Sequence, residues 1–135
     1  GEIGLNIIRS KSDRKKFSSS RTEGKTALTI YEVLKEFDFS TLLKLKLKTG
    51  RTHQIRVHLA SIGHPVFGDP TYGGRKVLFG TNLPKIKSRV ENLLEIMKHQ
   101  ALHAKTIGFF HPVKKEFLRF DSELPEDMQS LITKL

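Results

Sequence analysis

Gly50-Arg51-Thr52-His53-Gln54-Ile55-Arg56-Val57-His58-Leu59, continuing to Gly63-His64-Pro65-Val66-Phe67-Gly68-Asp69-Pro70-Thr71-Tyr72-Gly73, is the most informative stretch of the chain. Thr49-Gly50 breaks what precedes it, and Thr52 can cap a helix whose inward stripe is Ile55, Leu59 and Ile62, at i, i+4 and i+7. Thr52, Arg56 and Ala60 then form a neighbouring stripe that borders the open side. Gly63 ends the helix, with Pro65 two residues later. Four Gly and two Pro between Gly63 and Gly74 require a loop of constrained turns. Arg56 therefore projects from a rigid helix, and a guanidinium held in that way offers a planar fork to a carboxylate or a phosphate. The plain alternative is an ordinary surface ion pair, which is worth little. Asp69 invites attention as a nearby acid, but Asp before Pro commonly caps backbone amides in a turn, and that is the reading preferred for it.

Working outward, Thr41 to Lys48 alternates: Leu43, Leu45 and Leu47 face one way and Lys44, Lys46 and Lys48 the other, as in a half-buried strand with a lysine-lined open face. Ala27 to Phe37 carries apolar and β-branched residues on both faces and suits a buried strand. Ser10 to Gly24 mixes Ser, Lys and Arg without periodicity, so residues 1–24 read as a basic extended arm or loop ahead of a folded portion, 25–135. On the other side, Leu83 to Lys98 is expected to be a helix with Ile86, Val90, Leu93, Leu94 and Met97 on one face. Two strands follow, Leu102 to Phe110 and Glu116 to Phe120, joined by a turn at Pro112. Pro125, with Glu126 and Asp127 in the first turn, opens a last helix.

The 135 residues fit one domain, and no apolar run approaches the roughly 18 residues of a membrane span. The absence of Cys excludes a disulfide scaffold and any thiolate metal site and suits a cytoplasmic setting. A net charge of +10, from 24 basic against 14 acidic residues, predicts attraction to polyanions. The surplus is clustered, with seven Lys or Arg against two acids from Arg9 to Lys25, and five with no acid from Lys44 to Arg56. No H-E-x-x-H pair organises the six histidines, and the glycines form neither a dinucleotide fingerprint nor a P-loop. No metal site is expected.

The run G-R-T-H-Q-I-R-V-H-L, followed by G-H-P, G-D and Y-G, resembles the C-terminal half of RluA/RluD-type pseudouridine synthases. The flanks agree with it. Lys25-Thr26-Ala27-Leu28-Thr29-Ile30-Tyr31-Glu32-Val33 is similar to that family's K-x-A-x-T-x-Y-x-V strand. Gln100-Ala101-Leu102-His103-Ala104 and Phe109-Phe110-His111-Pro112 are similar to its Q-A-L-H-A and F-x-H-P elements.

The resemblance implies an α+β fold, a mixed and mainly antiparallel sheet with flanking helices. It also implies an enzyme that isomerises uridine to pseudouridine in ribosomal or transfer RNA without a cofactor. It puts Arg56 against the catalytic aspartate and Ile55 at the apolar wall of the pocket. Arg51, Thr52, His53, Gln54, Lys44, Lys46 and Lys48 become the expected RNA-binding residues. The family's aspartate stands in an H-R-L-D-x-x-T-S-G run, and its active-site tyrosine in a Y-x-A-x-V-x-G strand. None of the five aspartates here stands in that context, and Tyr31 and Tyr72 match other elements and read as packing or loop-ordering residues. The expectation is thus the C-terminal portion of a catalytic domain, inactive alone and partnered by an N-terminal half that carries the acid. Without that half, self-association through an exposed sheet edge is expected. Two other readings stand beside it: a non-catalytic RNA-binding module on the same scaffold, and, more weakly, a DNA-binding domain using Thr52 to Gly63 as a recognition helix. The inward Ile55, Leu59 and Ile62, and the lack of a preceding second helix, disfavour the last.

Overall fold

A computed structural model describes residues 1–77 and 83–135. In chain order it contains β1 (Glu2–Ile3), β2 (Asn6–Arg9), β3 (Phe17–Ser20), β4 (Thr29–Glu36), β5 (Thr41–Leu47), α1 (Gln54–Ser61), α2 (Pro84–Ile96), β6 (Thr106–Phe110), β7 (Phe117–Asp121) and α3 (Glu126–Lys134). Every strand pairing among the described residues is antiparallel, in a sheet ordered β1-β4-β5 and two hairpins, β2-β3 and β6-β7. The fold class agrees with the α+β expectation.

Residues 1–24, expected as an arm or loop, are extended but tied into the fold. β1 pairs with the start of β4, Ile3 and Ile7 are buried, and Ile7 and Lys25 exchange backbone hydrogen bonds of 2.9 Å. The short apolar spacing of Ile3, Ile7 and Phe17 is too sparse to register as periodicity, yet each of these side chains reaches α1 or its neighbours.

β4 begins as a buried strand and does not continue as one. Thr29 is fully buried, but Val33 and Leu34 are exposed, because β1 pairs with β4 only at Thr29 and Ile30. Beyond that point β4 and β5 form a two-stranded ribbon, bulged between Val33 and Lys35, with no third strand among the described residues to cover it. The alternation in β5 holds in outline. Leu43 and Leu45 are half-buried, Lys44, Lys46 and Lys48 are exposed, and Leu47 is more open than its pattern predicts.

Helix α1 is rotated from the expected stripe. Its buried residues are Gln54, Val57, His58 and Leu59, whereas Ile62 is exposed and Ile55 half-buried. Two polar side chains face inward because the Leu28 carbonyl, the Thr29 hydroxyl at the start of β4 and the Leu5 carbonyl of the β1–β2 link supply them with partners. Thr52 does not cap the helix. The N-cap is His53, in the left-handed conformation with φ 55°, and it makes no side-chain cap bond. At the other end Gly63, with φ 82°, lets the amides of Gly63 and His64 turn back to the carbonyls of Ala60 and Leu59 at 3.1 and 2.9 Å.

The core consists of small clusters around this helix. Ile3, Leu59 and Val66 form one, and Ile7, Ala27 and Val57 another. A third joins α2 to α3 through Leu93, Met97, Met128 and Leu131. Val90, Leu93, Leu94 and Met97 are buried as the helical face predicts. The β6-β7 hairpin differs, with Ile107, Phe109, Phe110, Phe117 and Phe120 all exposed.

Candidate active site

The loop after α1 is built to hold one carboxylate. The amide of Gly68 bonds the carbonyl of Gly74 at 2.9 Å, and a Cβ at Gly74 would lie 1.7 Å from the Val66 carbonyl oxygen, so the loop closes only with glycine there. Inside this clasp Asp69 is fully buried. Its Oδ1 accepts the amides of Thr71 at 2.8 Å and Tyr72 at 3.2 Å, which is the turn-capping role expected of it.

Asp69 also does what its sequence context did not announce. Arg56 grips it with two parallel bonds, Nε to Oδ2 at 2.7 Å and Nη2 to Oδ1 at 2.8 Å. The pair is nearly dry, with 13% of the Arg56 side chain exposed and none of Asp69, so it is not the ordinary surface pair weighed above. Burial pushes the Asp69 carboxyl up. The Arg56 hydrogen bond, the two backbone amides and the guanidinium charge outweigh it, leaving the group below its usual range. The hydrogen bond to Asp69 holds Arg56 more firmly protonated.

A row of rings completes the setting. The Arg56 guanidinium carbon lies 4.9 Å from the centre of the Tyr72 ring. Tyr72 Oη accepts the Phe17 amide at 3.0 Å and meets His53 Nδ1 at 2.8 Å. His53 packs edge-on to both Phe17 and Tyr72, at 5.6 Å in each case, and Arg9 covers Phe17 at 4.9 Å. These contacts hold His53 in its left-handed conformation, which costs a non-glycine residue about 1 kcal/mol or more. Burial lowers the His53 pKa, the charge of Arg56 lowers it further, and Asp69 opposes both. Tyr72 orders the loop, as expected from its surroundings.

The other expected site residues separate into groups. Ile55 packs against the Ile3, Leu59 and Val66 cluster one position from Arg56. Arg51 and Thr52 are exposed before α1, with Arg51 Nε donating to the Thr26 carbonyl at 3.1 Å. Lys44, Lys46 and Lys48 are exposed along β5, and Lys44 pairs with Glu32 at 3.5 Å. Gln54 is a correction. It is 2% exposed and its amide is consumed by protein partners, so it has no group to offer to RNA. His99 faces Asp127 at 2.9 Å and His103 faces Ser122 at 3.0 Å. Among the described residues no three His, Asp or Glu side chains gather as metal ligands.

Residues 1–61 match the family model described as RNA pseudouridylate synthase. Over its whole length the chain is 45% identical to an uncharacterized RNA pseudouridine synthase of Chlorobaculum parvum. It is 38% identical to ribosomal large subunit pseudouridine synthase D of Zymomonas mobilis. The chain belongs to the RluA/RluD-type RNA pseudouridine synthase family. It spans 42% and 40% of those two relatives' lengths. Among solved structures, human RNA pseudouridylate synthase domain containing 1 superposes with a TM-score of 0.68 at 25% identity, covering 97% of this chain and 51% of the human one. For a pseudouridine synthase chain the informative result is the Arg56 geometry: the arginine of the G-R-T-H-Q-I-R run stands at the first turn of α1, locked against a carboxylate from the G-D-P-x-Y-G loop.

Proposed function

We propose that this chain supplies the arginine side of the active site, and part of the RNA-binding surface, of an enzyme that isomerises uridine to pseudouridine in ribosomal or transfer RNA. The observation that carries the reading is the orientation of Arg56. Asp69 occupies Nε and one side of Nη2, and among the described residues Nη1 has no hydrogen-bond partner. A guanidinium with one edge fixed and another available suits a second carboxylate or a phosphate.

The reaction breaks the bond from ribose to the ring nitrogen, turns the base and rejoins it through carbon, which calls for a nucleophilic or anion-forming carboxylate. Arg56 beside such an acid holds it ionised and aims it, while Ile55 lines the apolar side. The acid comes from the family's H-R-L-D run on an N-terminal half, which is the proposed partner. The β6-β7 hairpin supports that partnership, because Ile107 and Phe110 are each 61% exposed and Phe117 65%, apolar surface that a further packed segment would cover. Without it, self-association through this hairpin or the β5 edge is the expected outcome.

The target base must leave its stack, at a cost of a few kcal/mol that backbone contacts offset. Lys44, Lys46, Lys48, Arg51, Thr52 and His53 are the proposed contacts. The name of the Zymomonas mobilis relative favours ribosomal RNA. The proposed setting is the cytoplasm, and no helix among the described residues is long and apolar enough to cross a membrane. A non-catalytic RNA-binding module is the second reading, favoured by the exposed lysines of β5.

The test is pseudouridine formation on ribosomal and transfer RNA by this chain alone and by the full reading frame that encodes it. Activity only in the full reading frame, abolished by Arg56→Ala, is the expected result. Absence of activity in both, with RNA binding retained, selects the second reading.

A further inference from the structure

We propose that Asp69 and Tyr72 are positioning residues for Arg56, forming a clamp that fixes which edge of the guanidinium faces the catalytic acid. The inference rests on the reading of Arg56 given above and adds two residues to it. A guanidinium on a long side chain can rotate about four bonds, and hydrogen bonding through a single nitrogen leaves its plane free to turn. Two bonds from Asp69, at 2.7 and 2.8 Å, fix its plane and its in-plane rotation together. The Tyr72 ring, 4.9 Å from the guanidinium carbon, supports one face.

The clamp is itself rigid. Asp69 is held by the amides of Thr71 and Tyr72 inside a loop that Gly68 and Gly74 tie shut. Tyr72 is anchored at its hydroxyl by the Phe17 amide and His53. Capping the two amides takes only Oδ1 of Asp69 and has no use for an arginine, and a helix surface does not call for a fully buried acid beside it. The side of Asp69 turned to Arg56 is therefore spent on orientation, in the way a ligand is held by a partner behind it.

Asp69→Asn is the deciding variant, made in the full reading frame and assayed on RNA. Its side-chain oxygen still caps the Thr71 and Tyr72 amides, while the charge and one acceptor facing Arg56 are lost. The expected result is a fall in kcat of tenfold or more with KM within about threefold of wild type, since orientation of the acid acts on the chemical step rather than on RNA binding. Tyr72→Leu, which keeps the backbone amide and removes the ring, is expected to move kcat in the same direction. Unchanged kcat in either variant, measured on folded protein, overturns the role of that residue. If Asp69→Asn fails to fold, Tyr72→Leu decides. Equal loss in kcat and gain in KM, accompanied by a lowered thermal midpoint, means general loosening and also overturns the clamp. Arg56→Ala separates this from the underlying reading: full activity there defeats the role of Arg56 itself, whereas an inactive Arg56→Ala beside a fully active Asp69→Asn defeats only the clamp.

Discussion

Gln54 and Thr29 meet in the interior, the Gln54 side-chain nitrogen donating to the Thr29 hydroxyl at 3.0 Å. The same nitrogen donates to the Leu28 carbonyl at 3.1 Å, and the Gln54 oxygen accepts from the Thr49 hydroxyl at 2.7 Å and the Arg51 amide at 3.0 Å. Thr29 in turn meets His58 Nδ1 at 2.9 Å, and His58 Nε2 lies 2.8 Å from the Leu5 carbonyl. A carbonyl only accepts, so the imidazole carries a hydrogen on Nε2, and in its neutral form Nδ1 accepts from the Thr29 hydroxyl. The relay fastens α1 to β4 and to the chain between β1 and β2, and thereby sets the height of Arg56 above the sheet.

Gln54→Ala is accordingly expected to destabilise the fold by roughly 1–3 kcal/mol, the cost of leaving buried donors and acceptors unmade. Gln54→Glu should be worse, since a carboxylate would face the Leu28 carbonyl with no hydrogen to give. Urea unfolding of the variants checks this. A Gln54→Ala protein as stable as wild type would mean that water replaces the amide and that the relay has no structural weight.

His53 should titrate below its ordinary value of 6.5, because burial and the Arg56 charge both disfavour the imidazolium. The unfolded chain then takes up this proton more readily than the folded one. The stability contributed by neutral His53 is present above the unfolded pKa and is lost as pH falls from there through the lowered folded value. Proton NMR of the ring hydrogens reads the midpoint directly. Arg56→Gln should move it upward, since the repelling charge goes while Asp69 remains. A wild-type midpoint at or above 6.5 would contradict the packing of His53 between Phe17 and Tyr72.

The patterns that sequence exposes best are those of apolar residues meeting apolar residues. The α2 face of Val90, Leu93, Leu94 and Met97 is legible for that reason, as are Leu43 and Leu45 of β5 and the stop at Gly63. α1 was legible as a helix but not in its rotation. Hydropathy assigns the inward side to Ile55, Leu59 and Ile62, whereas the Leu28 and Leu5 carbonyls and the Thr29 hydroxyl draw Gln54 and His58 inward. The anchoring of residues 1–24 is hidden for a related cause, because isolated Ile3, Ile7 and Phe17 find neighbours only in distant segments. At the candidate site, the place of Arg56 on α1 follows from its motif. Its partnership with Asp69 spans thirteen residues across a folded loop, a distance over which no spacing rule applies. Asp69 caps its turn as its place before Pro70 implies, and its hold on Arg56 arises only when the loop folds back on α1.

Lys44, Lys46 and Lys48 supply the remaining prediction, which concerns salt. Each phosphate neutralised on single-stranded nucleic acid contributes about 0.7 to the slope of log affinity against log salt. All three lysines are exposed on one strand face, but Lys44 already pairs with Glu32 at 3.5 Å, so Lys46 and Lys48 should carry most of any RNA contact. Changing Lys46 and Lys48 together to Gln should reduce the slope by roughly 1.4, twice that single contribution, measured by fluorescence anisotropy with a labelled ribosomal RNA fragment at several salt concentrations. Glu32→Gln should act oppositely, strengthening binding by releasing Lys44. Because Glu32, Lys46 and Lys48 are all exposed, neither change should disturb β5, so a lost slope reports charge rather than unfolding. If the slope is unchanged, the strand face is merely solvated. The phosphates must then lie nearer the other cluster of positive charge, on the β2-β3 hairpin, where Arg9, Lys11, Arg14, Lys15 and Lys16 become the residues to substitute next.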